Sequence, residues 1–245
     1  MTAGSDIEER IRHWTLEAFH AEGAVQEQGF KAVRAGRASV LSHQVGVYRR
    51  LDDALRAVAD SPGATPACQA GCSYCCHYHV YVTAPEALAI ADHMRGWPAA
   101  DRDRVLAKLT ENAGQAAALG KDRHVQTNIR CAFLGGDDLC SIYAVRPLAC
   151  RRHHSFDVTP CRTTFEDPDC QDQCPQSPQR VATADGFLAA GSAVARHVGL
   201  DFARYELSGA VLEAAINPAA ATRWREGKTA FPAVRDRDAT GGLGG

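Results

Sequence analysis

The chain carries little net charge, no long apolar run and no phosphate-cradling glycine motif, and each of these absences removes a class of function. Its 27 basic and 29 acidic side chains leave a net charge of -2 over 245 residues, so no overall field favours nucleic acid or an acidic membrane as partner. No stretch reaches the roughly 18 uninterrupted apolar residues that a membrane span needs. Met1 to Arg12 is polar and acidic, without the apolar core of a secretory signal, so the expected location is the cytoplasm. Gly241-Gly242-Leu243-Gly244-Gly245 has no strand before it and no helix after it, which sets aside a dinucleotide or Walker fingerprint. Internal repeats and low-complexity segments are absent as well. A metal ion, a small molecule or a protein partner or substrate remains.

Cysteine is what the chain has instead. All ten cysteines fall between Cys68 and Cys174. In a reducing compartment structural disulfides are disfavoured, and clustered thiols are better read as ligands or reactive groups. A chain with 45% hydrophobic residues can bury an ordinary core and does not need disulfide staples.

Around this centre the apolar periodicity is helical. Ile7, Ile11, Trp14, Leu16 and Phe19 recur at helical intervals, predicting amphipathic helices over Ile7 to Gly23 and Val25 to Asp60, paired as a hairpin. Ser61-Pro62-Gly63-Ala64-Thr65-Pro66 is a breaker, because proline fixes φ and lacks an amide donor. His77 to Val82 reads as a short strand stopped by Thr83. Thr83, Pro85 and Glu86 form a capping-box pattern that opens a helix over Ala87 to Met94. A further helix is expected from about Ala100 to Leu119. Arg146 to Pro175 is irregular and polar, and helical periodicity returns over Arg180 to Val198, Phe202 to Ala215 and Pro218 to Gly227. The expected fold class is mainly α, with a loop-rich, cysteine-bearing centre and little β structure. Its organisation is N-terminal helices over 1–60, a cysteine-cluster region over 61–176, C-terminal helices over 177–230 packing on the same domain, and a disordered glycine-rich tail over 231–245.

Cys68, Cys72, Cys75 and Cys76 place four thiols within nine residues. Soft sulfur donors disfavour magnesium and calcium, which leaves zinc, iron or an iron-sulphur cluster. Adjacent side chains diverge, so Cys75 and Cys76 suit two sites, a bridging role, or one ligand and one core residue. Downstream lie Cys131, Cys140, Cys150 and Cys161, with Cys170 and Cys174 a further pair at x3 spacing. Gly135-Gly136-Asp137-Asp138 is a turn signal that sets Cys131 and Cys140 across a tight loop. His77, His79, His153 and His154 flank the clusters and are candidates to complete a coordination sphere, although for any one of them an ordinary surface or core role is the commoner outcome. Arg146, Arg151 and Arg152 beside Cys150 suit balancing the negative charge of thiolates better than orienting an anionic substrate.

Two blocks of this region resemble a known family. Gly71-Cys72-Ser73-Tyr74-Cys75-Cys76 with Val82-Thr83-Ala84-Pro85-Glu86-Ala87, and Cys131-Ala132-Phe133-Leu134 with Cys140-Ser141-Ile142-Tyr143-Ala144-Val145-Arg146-Pro147-Leu148-Ala149-Cys150-Arg151, are similar to the YkgJ-type cysteine-cluster family, named for its CxxCxxCC motif. The resemblance spans about residues 66 to 161 and implies chelation of zinc or iron, without a reaction established for most members. A relative by motif, the flagellin lysine N-methylase, implies that such a cluster can sit in an enzyme acting on protein lysines. The gap of three residues between Cys68 and Cys72 departs from the two in the family name, and Cys170 and Cys174 fall outside the recognised blocks. The same Cys68-x3-Cys72-x2-Cys75 string resembles the motif of radical S-adenosylmethionine enzymes, whose [4Fe-4S] cluster follows the first strand of a (β/α) barrel. Here it follows helices and a breaker.

The sequence therefore points to a zinc- or iron-binding protein, with a [4Fe-4S] cluster as alternative, held by Cys68, Cys72, Cys75, Cys76, Cys131, Cys140, Cys150 and Cys161. Metal-dependent enzyme and structural zinc module for protein interaction are the competing uses of those ligands.

Overall fold

A computed structural model describes residues 3–58, 65–170, 172–234 and 237–238. The first helix, α1 (Ala3–Arg34), runs through Gly23, where the sequence suggests a break, and stops only at Gly36, whose φ of +70° is a left-handed conformation that glycine adopts without strain. There the Gly36 N–H bonds Val33 O and the Arg37 N–H bonds Ala32 O, satisfying carbonyls that the helix end would leave open. Ser39 then caps α2 (Val40–Ala57), its Oγ accepting from the Ser42 N–H at 2.9 Å.

The main partner of α1 is not α2 but α7 (Pro178–Val198). Small residues on α7 permit the approach: a Cβ at Gly186 would lie 2.5 Å from Thr15 O and 2.6 Å from the Ala18 Cβ. Between the two helices, buried Gln26 donates to Phe187 O at 3.2 Å. The expected hairpin of two N-terminal helices is thus replaced by a pairing across the length of the chain.

Two strand-helix units make up a second part of the fold. β1 (Tyr81–Thr83) leads into α3 (Ala84–Met94), and β2 (Arg204–Glu206) leads into α8 (Leu207–Ile216). The strands pair antiparallel, with Val82 opposite Tyr205, and α3 packs on α8. Each helix start is served by a glutamate. Glu86 accepts from the Thr83 N–H, and Glu206 accepts from the N–H groups of Ser208 and Gly209. The helix expected from Phe202 therefore begins at Leu207, because residues 204–206 are recruited as a strand by β1. β3 (Arg237–Asp238) adds two residues to the edge of β2.

α4 (Ala99–His124) is regular up to Gly120, where φ of +71° interrupts it. Two short helices, α5 (Leu148–Arg152) and α6 (Val158–Glu166), stand in the segment expected to be irregular, and α9 (Ala219–Arg225) follows α8. The fold is mainly α. One apolar cluster joins Phe30, Leu51, Ile90, Leu109, Phe133, Tyr205 and Trp224, each 1% exposed or less and each worth roughly 1.5–3 kcal/mol on burial. Phe231, at the start of the glycine-rich tail, is buried in the same cluster. Residues 235–236 and 239–245 of that tail lie outside the described residues, as do Ser61 to Ala64 of the breaker. No described helix is long and apolar enough to cross a membrane.

Candidate metal centre

Three segments converge around Cys76. The Tyr74–His77 turn, a single 3-10 turn, presents Cys75 and Cys76. Cys131 is brought beside it by backbone pairing, its N–H donating to Cys76 O at 2.8 Å, with Ile129 N–H donating to His77 O at 2.9 Å. The loop that follows turns back through Asp138, a non-glycine residue at φ +58°. It closes with Gly135 N–H on Leu139 O and a bridge between Leu134 and Cys140. The turn signal at Gly135 to Asp138 thus folds Cys140 back alongside the Cys131 strand. Cys150 arrives on α5, whose first N–H, that of Leu148, is held by buried Glu86 at 2.7 Å.

The thiols of Cys76, Cys131, Cys140 and Cys150 lie close enough to feel one another's charge. Burial pushes Cys131 up to about 12, with Cys76 and Cys140 adding to it. Burial also raises Cys150, reinforced by Cys131, Cys76 and Cys140, and it raises Cys140, reinforced by Cys76. Cys76 moves the other way, to about 7, because the Cys75 thiol donates a hydrogen bond to it, with Arg146 and Arg130 assisting. Cys75 is raised correspondingly, first by that bond and then by burial. Arg146 is the cation of this group: it acts on Cys76, Cys140 and Cys150, and its Nε is buried without a hydrogen-bond partner. Arg151 acts on Cys140 as well, but its hydrogen bonds, like those of Arg152, are made to other partners. Arg151 holds Asp52 and the carbonyls of Tyr143, Ala144 and Arg146, and Arg152 grips Asp185 through two bonds of 2.7 and 3.2 Å.

A second group forms around Cys161 on α6. Cys174 Sγ lies 3.3 Å from Cys161 Sγ, and a ligand atom of His153 joins them, all three within 4.8 Å of one another. The Phe156 N–H donates to Pro175 O at 2.9 Å, which brings Cys174 in, and Ala67 N–H donates to Ser155 O at 2.7 Å, which brings Cys68 in. Tyr78 Oη fixes α6 to the first group by donating to Cys161 O at 3.0 Å. Cys68 is exposed, with its Sγ 4.0 Å from Ser155 O, and Cys72 lies near both Cys68 and Cys161. Burial, then the hydrogen bond with Cys161, pushes Cys174 up to about 12.

Of the four flanking histidines, His153 is grouped with these thiols. His77 bonds Ser73 O and packs on Phe165, and His79 stacks between Tyr81 and His124. His154 accepts from Ser177 N–H at 2.8 Å on Nε2 and faces Arg152 O with Nδ1, so both nitrogens are engaged in holding the chain. Cys174 and His153 are the residues that spacing alone leaves unassigned. The only signal for Cys174 in the sequence is its pairing with Cys170, whereas in space it faces Cys161.

Residues 67–175 match the CxxCxxCC family, described as a "putative zinc- or iron-chelating domain". This segment is similar to a CxxCxxCC domain. The match reaches beyond the two recognised blocks and takes in Cys170 and Cys174. No curated protein and no solved structure gives a significant match. Within this segment the thiols group by which neighbours they feel: Cys76, Cys131, Cys140 and Cys150 form one set, Cys68, Cys72, Cys161 and Cys174 another, and Cys72 and Cys75 feel members of both.

Proposed function

We propose that the CxxCxxCC domain of this protein binds zinc or iron through Cys68, Cys72, Cys75, Cys76, Cys131, Cys140, Cys150 and Cys161. The observation that carries this reading is the convergence of Cys76, Cys131, Cys140 and Cys150 from three segments, the Tyr74–His77 turn, the loop from Cys131 to Cys140 bonded to it through Cys131 N–H to Cys76 O at 2.8 Å, and α5. Protonated thiols make poor hydrogen bonds and gain little by being gathered in this way, and four thiolates without a cation would repel one another. A divalent ion resolves both, replacing the protons and neutralising the charge. Arg146, with its buried and unpartnered Nε, fits the excess negative charge that a four-thiolate site retains.

Four thiolates fill a tetrahedral zinc or iron position, so this set serves structure: it fixes the irregular loops of residues 128–141 and the start of α5 against the Tyr74–His77 turn. A [4Fe-4S] cluster is the alternative cargo for the same ligands. The strands of this chain are three, three and two residues long, which gives the radical S-adenosylmethionine reading no (β/α) barrel among the described residues to stand on. A reducing cytoplasm suits thiolate ligands, which must stay unoxidised to bind.

Metal analysis of anaerobically purified protein, with its absorption spectrum, tests the proposal. At least one zinc or iron per chain is expected. Less than one overturns the reading, and a brown protein with visible absorption assigns the iron-sulphur form.

A further inference from the structure

Cys161, Cys174 and His153 form a cluster apart from the Cys76, Cys131, Cys140 and Cys150 set, and the eight cysteines named above include Cys161 but neither Cys174 nor His153. Their ligand atoms all lie within 4.8 Å of one another. Zinc-sulphur bonds of about 2.3 Å place tetrahedral ligand atoms roughly 3.7 Å apart, so a cluster of this span needs only a small contraction to close on one ion. The residues come from three segments: the end of α5, the middle of α6, and the stretch before α7. Their backbones are tied by Phe156 N–H to Pro175 O at 2.9 Å. A fourth thiol is at hand. Cys68 is exposed, is carried on a loop pinned to the same Ser155 carbonyl, and lies near Cys174.

We propose that His153, Cys161 and Cys174, joined by Cys68, form a second metal site, separate from the first, that takes a borderline-soft divalent ion such as Zn²⁺ and exchanges it with solvent. The inference rests on the metal-binding reading of this domain, shares Cys68 and Cys161 with it, adds His153 and Cys174, and uses none of the Cys76, Cys131, Cys140 and Cys150 thiols. Binding releases the thiol protons to solvent, and neutral imidazole supplies the nitrogen. Gln176 Nε2 lies 3.3 Å from His153 Nδ1. With the amide turned, Gln176 Oε1 accepts from Nδ1–H and leaves Nε2 free for the metal, the outer partner that ligating histidines ordinarily keep. The two sites differ in access. The first draws on partly buried thiols, whereas the second includes the one exposed cysteine of the ten, so its ion has a route out.

Full-length protein loaded anaerobically with Co²⁺ in place of zinc reports each site by its thiolate charge-transfer and d–d bands. The wild type should hold two equivalents. His153→Ala and Cys174→Ser should each hold one and keep the bands of the four-thiolate site, while Cys140→Ser should hold one with the bands of a mixed sulphur-nitrogen site. His153→Cys should restore the second equivalent with its d–d bands shifted toward the all-thiolate pattern, a rescue that a merely misfolded His153→Ala would not show. Two equivalents with unchanged bands in both His153→Ala and Cys174→Ser overturn the proposal, as does loss of all metal from both Cys174→Ser and Cys140→Ser, which describes one polynuclear centre. One equivalent in the wild type, abolished by Cys140→Ser alone, overturns this inference and leaves the metal-binding reading standing. No metal in the wild type overturns both.

Discussion

The backbone N–H of Leu148 donates to the carboxylate of Glu86 at 2.7 Å, joining two segments 62 residues apart in the chain. Through this bond the motif around Thr83 positions the helix that carries Cys150. The same carboxylate accepts from Tyr48 Oη at 3.1 Å, and from the Thr83 N–H and Thr83 Oγ1 at 2.8 Å each. Burial, then the Glu86 charge, keeps the Tyr48 phenol protonated and therefore a donor. A residue that looks like a helix cap in the sequence is thus the junction of α2, α3 and α5.

Replacing this acceptor leaves buried donors without partners. Glu86→Ala should destabilise the fold by about 3 kcal/mol or more in urea unfolding, since several buried donors lose their acceptor at once. Glu86→Gln should cost about 1–2 kcal/mol, because either orientation of the amide turns an NH₂ toward a buried donor. Both variants should also lower the metal retained by purified protein, as α5 loosens. Unchanged stability in Glu86→Ala would remove Glu86 from this role.

Two glycines in paired helices should respond in opposite directions. At Gly186 the added Cβ meets the backbone oxygen of Thr15 at 2.5 Å, and backbone cannot step aside, so Gly186→Ala should cost about 1–3 kcal/mol by prising α7 from α1. At Gly23 a Cβ meets nothing within 4 Å, and Gly23→Ala should gain up to about 1 kcal/mol by removing glycine from a helix interior. Thermal unfolding of the pair checks both signs, and equal effects would refute the close α1–α7 packing.

Much of this architecture is legible in the residues. The Thr83 and Glu86 cap, the helix ending near Gly120 and the turn between Cys131 and Cys140 all follow from short-range chemistry and stand where that chemistry puts them. What sequence alone does not show depends on distant partners. Gly23 reads as a break because glycine disfavours helix by about 1 kcal/mol, but the packing of α1 along α7 outweighs that cost. Arg204, Tyr205 and Glu206 carry no strand periodicity and are a strand only because β1 lies alongside. Within the site, adjacent spacing pairs Cys174 with Cys170, while the hydrogen bond from Phe156 to Pro175 turns Cys174 toward Cys161 and His153. Of Arg146, Arg151 and Arg152, which all look like counter-charges for thiolates, Arg152 is paired with Asp185, Arg151 is paired with Asp52 while still acting on Cys140, and Arg146 acts on Cys76, Cys140 and Cys150.

His43 makes the stability depend on pH apart from any metal. Its ring packs on Phe30 with centroids 4.5 Å apart, its Nε2 is buried without a hydrogen-bond partner, and burial, then the charge of Arg50, lowers its pKa from 6.5 to about 4. Between about pH 4 and 6.5 the unfolded chain holds more protons than the folded one. The stabilisation is therefore complete above about 6.5 and is lost as pH falls through that window, by up to about 3 kcal/mol. His43→Leu should remove this component. The stability difference between variant and wild type, measured by urea unfolding at pH 7.5 and 5, should widen in the variant's favour at the lower pH, and a difference that does not change with pH would count against it.

Metal removal should loosen one part of the molecule and spare another. The segments over residues 67–76, 128–141 and 153–170 are irregular apart from the Tyr74–His77 turn and α6, and they are joined by backbone bonds, by side-chain contacts of Tyr74, His77, Tyr78 and Asn128, and by the gathered thiols. Without a cation those thiols must take up protons, and the segments keep only backbone bonds such as Cys131 N–H to Cys76 O, Ser141 N–H to Phe133 O and Phe156 N–H to Pro175 O, with side-chain contacts such as Tyr78 Oη to Cys161 O and Asn128 to Phe165 O. The α1–α7 pair uses none of them. Its contacts combine close packing at Gly186 with polar links of their own, Gln26 to Phe187 O, Arg34 to Val198 O and Glu27 to His197. In hydrogen exchange on chelator-stripped protein, the amides of Cys131, Ser141 and Phe156 should exchange markedly faster than in the metal-loaded protein. Those in the interior of α1 and α7 should keep their protection. Acceleration spread evenly over both regions would mean that the metal supports the whole fold, and no acceleration at the three named amides would mean that the cysteine loops stand without it.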